Sequence, residues 1–329
     1  MNFTKSIPVL ASILMLTFTA CQKDNTLNQS TIGDDQTTVE LSSLSRQCAT
    51  HQYNEEMMEK NAQFKENQQR IEDFTTRYVE QFEKGAGLRA VVTIPVIVHV
   101  VYRTAAENIS DAQVQSQIAV LNADFRKLNA DRTLVPSNFS GVAADCEINF
   151  VLSQIVRKAT TVTSFGYSGD PVKKTTQGGS DPVNPGTMLN MWACNLGGGL
   201  LGYAQFPGGA AATDGVVCLY SAFGNSTYAP YDKGRTATHE VGHWFNLRHI
   251  WGDKRCGDDL VSDTPAHDAA NYGCPAAGIK SACSGKPIEM WMNYMDYTND
   301  ACMYMFTTGQ KARAQATLVA GGLRAAYIQ

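Results

Sequence analysis

The apolar positions change period sharply along the chain, and the changes mark its elements. Met57, Phe64, Ile71, Phe74, Tyr78 and Phe82 recur at spacings of three, four and seven in an otherwise polar stretch. That periodicity predicts one long or broken amphipathic helix over 52–84, ended by Gly85 and Gly87. Val91 to Tyr102 then reads VVTIPVIVHVVY, a β-branched run expected of a strand buried on both faces. Ser110 can cap a helix whose apolar positions are Val114, Ile118, Leu121, Phe125 and Leu128. Residues 147–156 read as a second strand, and 188–194, 200–206 and 215–221 as three more between glycine-rich turns. A helix is expected over 236–247 and a last one from about Thr308. Helices interleaved with strands in this order predict an α/β domain over 90–329 built on a five-stranded sheet.

The stretches outside this pattern have their own character. Lys5, the apolar run Ile7 to Phe18, and Thr19-Ala20 before Cys21 have the layout of an export signal over 1–20. A cysteine at that place resembles a bacterial lipoprotein processing site, so Cys21 is a candidate for acylation. Any contact with a membrane is expected only through that lipid. Residues 22–46 are rich in Ser, Thr, Asn, Gln and Asp and read as a tether. The formal charge of the 329 residues is −4, which lacks the basic bias of a nucleic-acid binder. Export recasts the nine cysteines as disulfide candidates. Four of them, Cys256, Cys274, Cys283 and Cys302, crowd a loop-rich segment that needs staples.

Residues 239–249 read HEVGHWFNLRH. His239 and His243 lie one helical turn apart on one face, where one zinc ion can take both imidazoles. Glu240 points to a neighbouring direction, suited to taking a proton from water and passing it to a leaving amine. His249 supplies a third ligand if the chain leaves the helix and turns back, and Asn246 at that turn tolerates a left-handed conformation. The other histidines lack such spacing: His99 is expected in the core or at a strand end, His51 and His267 in solvent.

This segment resembles the long zinc motif of metzincin peptidases, and its flank WFNLRHIWGD resembles the pappalysin branch of that clan. The motif usually has glycine where Asn246 stands. The resemblance covers roughly residues 90–325 and implies a metzincin-like fold with a twisted mixed sheet, an active-site helix and a disulfide-stapled C-terminal subdomain. It implies a zinc endopeptidase acting on proteins or peptides. Asn293-Tyr294-Met295-Asp296-Tyr297 is similar to the clan's methionine turn, which would set Met295 beneath the metal and Tyr297 where its phenol can donate to an oxyanion. Asp300 matches an aspartate that selects arginine, or less well lysine, just beyond the cut. Gly202, Tyr203 and Ala204 match an edge strand that pairs with substrate backbone antiparallel.

The resemblance further implies the pairs Cys256–Cys283 and Cys274–Cys302, although spacing alone leaves three pairings open. Cys194 and Cys218, on strands expected to be neighbours, make a third candidate bridge. Asp253, Asp258, Asp259, Asp263 and Thr264 offer hard oxygens in a loop where the family often holds calcium. Cys48 is similar to the N-terminal cysteine whose thiolate closes the open zinc position in latent metzincins. A disulfide between Cys48 and Cys146 is the alternative. The precursor is then divided into a signal over 1–20, a tether and helical pro-segment over 21–89 cut near Lys84–Arg89, and a catalytic domain over 90–329. A zinc hydrolase of non-peptide amides or esters, or a non-catalytic surface module, are the rival readings. The edge strand argues against the first and the intact Glu240 against the second.

Overall fold

A computed structural model describes Met1 and residues 45–85, 87 and 90–329. The expected signal, the acylation candidate Cys21, most of the tether and Arg89 lie outside the described residues. The polar helical stretch is broken into α1 (Thr50–Lys60) and α2 (Ala62–Phe82). The break is Asn61, which turns extended and accepts a hydrogen bond from the Phe64 amide on its side chain, capping α2.

After α2 come β1 (Val92–Tyr102), α3 (Asp111–Phe125), the single turn α4 (Ser137–Ser140), β2 (Ala143–Ala144) and β3 (Ile148–Ala159). Ser110 caps α3 through the Gln113 amide, as the sequence predicts. Next are β4 (Leu189–Cys194), β5 (Gly202–Ala204), β6 (Val216–Leu219), α5 (Arg235–Trp244), β7 (Phe306–Thr307) and α6 (Thr308–Leu318). The five-stranded sheet has the order β3-β1-β4-β6-β5. β3, β1, β4 and β6 run parallel, and β5 lies antiparallel at the edge. β1 lies between β3 and β4 and is buried along nearly its whole length, which is why it lacks polar alternation. The metzincin-like architecture expected from the sequence is therefore present, with its mixed sheet and active-site helix.

The largest apolar cluster lies between one sheet face and helices α3, α5 and α6, and includes Val98, Phe125, Val241, Met295 and Phe306. A second, on the other face, gathers Tyr53, Trp192, Tyr203 and Tyr231. Tyr53 belongs to α1, so the N-terminal helices pack on the same body as the sheet. Beyond α5 the chain is mostly loop, and two disulfides hold it: Cys256–Cys283 and Cys274–Cys302, with Cα separations of 5.7 and 5.6 Å.

Two expectations are corrected here. Cys194 and Cys218 are both free thiols. The register pairs Ala193 with Cys218 and Cys194 with Leu219. Alternation then sends the two thiols to opposite faces, Cys218 into the first cluster and Cys194 into the second. His267 is fully buried, not in solvent. Its Nε2 accepts the Met290 amide at 2.9 Å, so it satisfies loop backbone that has no strand partner. Cys146 is also a free, buried thiol, so it forms no bridge with Cys48. His99 lies in the core, stacked on Trp192, and His51 is half-exposed.

Candidate metal centre and active-site cleft

Helix α5 carries His239, Glu240 and His243, all buried. The chain leaves it at Asn246, whose φ of 69° is the left-handed turn expected there, and brings His249 back. His243 Nε2 lies 3.1 Å from His239 Nε2 and 3.1 Å from His249 Nε2. Each ring's other nitrogen is tied to an acceptor. His239 Nδ1 donates to the Tyr294 carbonyl and His243 Nδ1 to the Leu247 carbonyl, both at 2.7 Å. His249 Nδ1 meets the Asp253 carboxylate. These bonds fix the tautomers and leave three Nε2 lone pairs converging on one point, the arrangement that orients imidazole ligands. Burial first, then the neighbouring imidazoles, hold His239 and His243 well below the usual imidazole range, in the neutral form a cation needs.

The fourth donor at this point is Cys48. Its sulfur and the three imidazole nitrogens lie within 4.8 Å of one another, and all four residues are buried. Three nitrogens and a thiol suit a tetrahedral, borderline-soft cation. Among the described residues this is the one such group of His, Cys, Asp and Glu.

Two glycines make the geometry possible. A Cβ on Gly242 would lie 2.5 Å from Met295 Sδ, so the methionine turn can press under α5 only against glycine. A Cβ on Gly202 would lie 2.7 Å from Glu240 Cγ and Oε1, so the edge strand β5 closes directly over the glutamate. Glu240 Oε2 accepts the Thr50 hydroxyl at 2.9 Å and the Cys48 thiol at 3.3 Å. Burial raises its carboxyl to about 7, against these two hydrogen bonds and the charge of Arg46. Tyr297 stands across the cluster, its ring 5.0 Å from that of His249, and its hydroxyl donates to the Cys48 carbonyl at 3.2 Å.

The cleft is filled by the chain's own N-terminal residues. Leu201 donates to the Gln47 carbonyl at 2.9 Å, and Ala49 donates to the Gly202 carbonyl at 3.0 Å. Cys48 and Gly202 form a parallel bridge. The Ala204 amide donates to Thr50 Oγ1, and the Asn54 amide side chain donates to the Ala204 carbonyl. Thus Gly202, Tyr203 and Ala204 form the edge strand, and residues 47–50 line it. Arg46 enters a closed pocket and reaches Asp300 Oδ1 at 2.6 Å, with exposures of 1% and 0%. Asp300 Oδ2 accepts the Lys233 and Arg235 amides, and the Arg46 guanidinium lies over the Tyr231 ring.

The acidic loop after His249 does not gather round one point. Asp253 is engaged with His249 and, at 3.6 Å, with His51. Asp258 accepts the Leu260 amide, Asp259 accepts the Thr264 hydroxyl and the Val261 amide, and Asp263 accepts Thr307 and Gly309. Asp253, a calcium candidate by sequence, meets His249 Nδ1. Sequence reasoning gave no role to Arg46, although its place two residues before Cys48 was a usable signal. It also gave none to Thr50.

Residues 188–319 match the model of peptidase family M43, described as pregnancy-associated plasma protein-A. The chain is similar to extracellular metalloprotease 1 of Coccidioides posadasii, 33% identical over 247 residues, which span 71% of this chain and 80% of the relative. It is also similar to two solved structures from Tannerella forsythia. Mature mirolysin in complex with a cleaved peptide is 46% identical with TM-score 0.71, covering 73% of this chain and 96% of that one. A promirolysin mutant is 40% identical with TM-score 0.78, covering 86% and 97%. A metal-competent cluster inside a cleft of this fold, together with these likenesses, places the chain in the M43 metallopeptidase family described by pregnancy-associated plasma protein-A, and it is a metalloendopeptidase.

Proposed function

We propose that this chain is the latent precursor of an exported zinc endopeptidase that cuts before arginine, and less readily before lysine. The observation that carries it is the convergence of His239, His243, His249 and Cys48 beside Glu240. The three imidazoles would hold zinc, with Cys48 filling the position that substrate and water need. When bound, zinc supplies Lewis acidity and a water that ionises near neutral pH. Glu240, once Cys48 and Thr50 leave its carboxylate, would accept a proton from a water in the cleft and return it to the leaving amine. Tyr297 donates to the oxyanion. Asp300 reads the side chain after the cut, because Arg46 already occupies its pocket as an arginine of the substrate would. The backbone of β5 aligns the peptide.

In this reading residues 21–89 are the pro-segment, released by cutting near Lys84–Arg89. Two comparisons support the division: the promirolysin mutant covers 86% of this chain and the mature form 73%. Export is supported by relatives named extracellular metalloproteases, and acylation at Cys21 by sequence alone. A structural calcium in the loop of Asp253, Asp258, Asp259, Asp263 and Thr264 is supported by the sequence resemblance alone. The test is incubation of the processed protein with a peptide library at neutral pH with zinc, beside Glu240→Ala. Cuts before arginine that vanish in the variant are expected. Absence of any cleavage by the intact protein would sink the peptidase mechanism, and cuts unrelated to arginine or lysine would sink the role of Asp300.

A further inference from the structure

A second polar contact between the N-terminal helices and the body lies away from the cleft. The Glu72 carboxylate, on α2, meets donors from two parts of the catalytic body. Arg313 Nη2, on α6, reaches its two oxygens at 3.0 and 2.9 Å. Asn246 Nδ2 donates at 3.1 Å and Arg248 Nη2 at 3.4 Å. Arg313 Nη2 also donates to the Asn246 carbonyl at 3.3 Å, bracing the site to the turn between His243 and His249. Asn246 and Arg313 are buried, while the Glu72 side chain is 16% exposed. Partial burial strengthens such charge-assisted bonds relative to surface pairs.

The packing around α2 makes this contact count. A cavity of about 570 Å³ separates part of α2 from the body, lined by Arg70, Ile71 and Phe74 on one side and Pro207, Leu323 and Arg324 on the other. Beside the cavity, α2 is held by its buried apolar residues Phe64, Ile71 and Tyr78 and by three polar anchors: Asn67 on the Gly208 carbonyl, Gln68 on the Pro207 carbonyl, and Glu72. Only Glu72 meets charged donors among these three.

We infer that Asn246, Arg248 and Arg313 form a carboxylate-binding site on the turn of the metal motif, and that Glu72 in this site holds the pro-segment independently of the metal. This rests on residues 45–85 being the pro-segment. The Cys48 contact depends on the ion. The Glu72 contact does not, so removing the ion takes away only the Cys48 lock, and α2 stays docked. Asn246 serves twice, since its backbone makes the turn and its amide binds the carboxylate. A glycine would keep the φ of 69° and lose the donor.

Hydrogen exchange of the full-length chain tests this without any turnover, so its outcome is separate from the peptidase assay. Cys48→Ala protein, treated with chelator, removes the first lock. Protection of the α2 amides is expected to persist there, and to fall at least about tenfold when Glu72→Gln or Asn246→Gly is added. Strand β1 should exchange equally in all three. Asn246→Gly guards against misfolding, because it relaxes the backbone while removing only the side-chain donor. Unchanged α2 exchange in both added variants would overturn the inference, as would α2 already unprotected in chelated Cys48→Ala.

Discussion

Replacing Arg46 by alanine should unlock the precursor without touching any group assigned to catalysis. The pair is buried on both sides, with Arg46 at 1% and Asp300 at 0% exposure. Removing one member of a buried pair costs about 3–5 kcal/mol, mostly because the remaining charge is left unpaired. Asp300 keeps two amide donors, from Lys233 and Arg235, which places the loss near the lower end, at about 3 kcal/mol. At 1.4 kcal/mol per tenfold, the fraction of precursor with an open cleft rises about a hundredfold. The assay is hydrolysis of a short arginine-containing peptide by precursor in which Lys84→Gln and Arg89→Gln prevent maturation. Arg46→Lys should fall between, since lysine returns the charge without the planar fork. If Arg46→Ala precursor hydrolyses the peptide no faster than its parent, Arg46 is not what keeps the pocket shut.

Other outcomes follow from the same geometry. Tyr297→Phe in the processed enzyme should lower kcat by about a hundredfold or more with little change in KM; a KM effect alone would assign the phenol to binding. In the intact precursor Cys48 should label slowly with a thiol reagent and faster after chelation, while Cys146, Cys194 and Cys218 stay inert until unfolding; an oxidised Cys48 would refute latency. Burial raises Asp259 from 3.8 to about 7. Its folded pKa lies above the unfolded one, so the native state holds the extra proton. That stability is complete below about pH 4 and is lost as pH rises through about 7. The Tm of Asp259→Asn should therefore gain on that of the parent across this window, and parallel Tm–pH curves would show the carboxyl to be charged in the fold.

What was legible in the sequence was what is local. HEVGH announces itself because its spacing is one helical turn, and Asn246 because so few residues accept its backbone. β1 could be read from its β-branched run. The misses depend on which group each residue meets in space. Arg46 meets Asp300 at a separation of 254 residues, and no periodicity encodes that. His267 looked exposed because a lone histidine in a loop gives no sign of the Met290 amide it satisfies. Cys194 and Cys218 do sit on adjacent strands, but which face each thiol takes is set by a one-residue register that composition does not carry. Asp253, grouped by sequence with its acidic neighbours, also meets His249 Nδ1.

The parallel bridge between Cys48 and Gly202 concerns direction of travel. A peptide cut before arginine presents to the metal the residue that precedes the arginine. Here the residue at the metal cluster, Cys48, follows Arg46, so the segment threads the cleft tail-first. The same pocket and the same edge strand grip it, but its amide bonds arrive with carbonyl and nitrogen exchanged. Recognition and reactivity are thereby uncoupled: the protein can hold its own arginine at full strength and still have no bond in register to break.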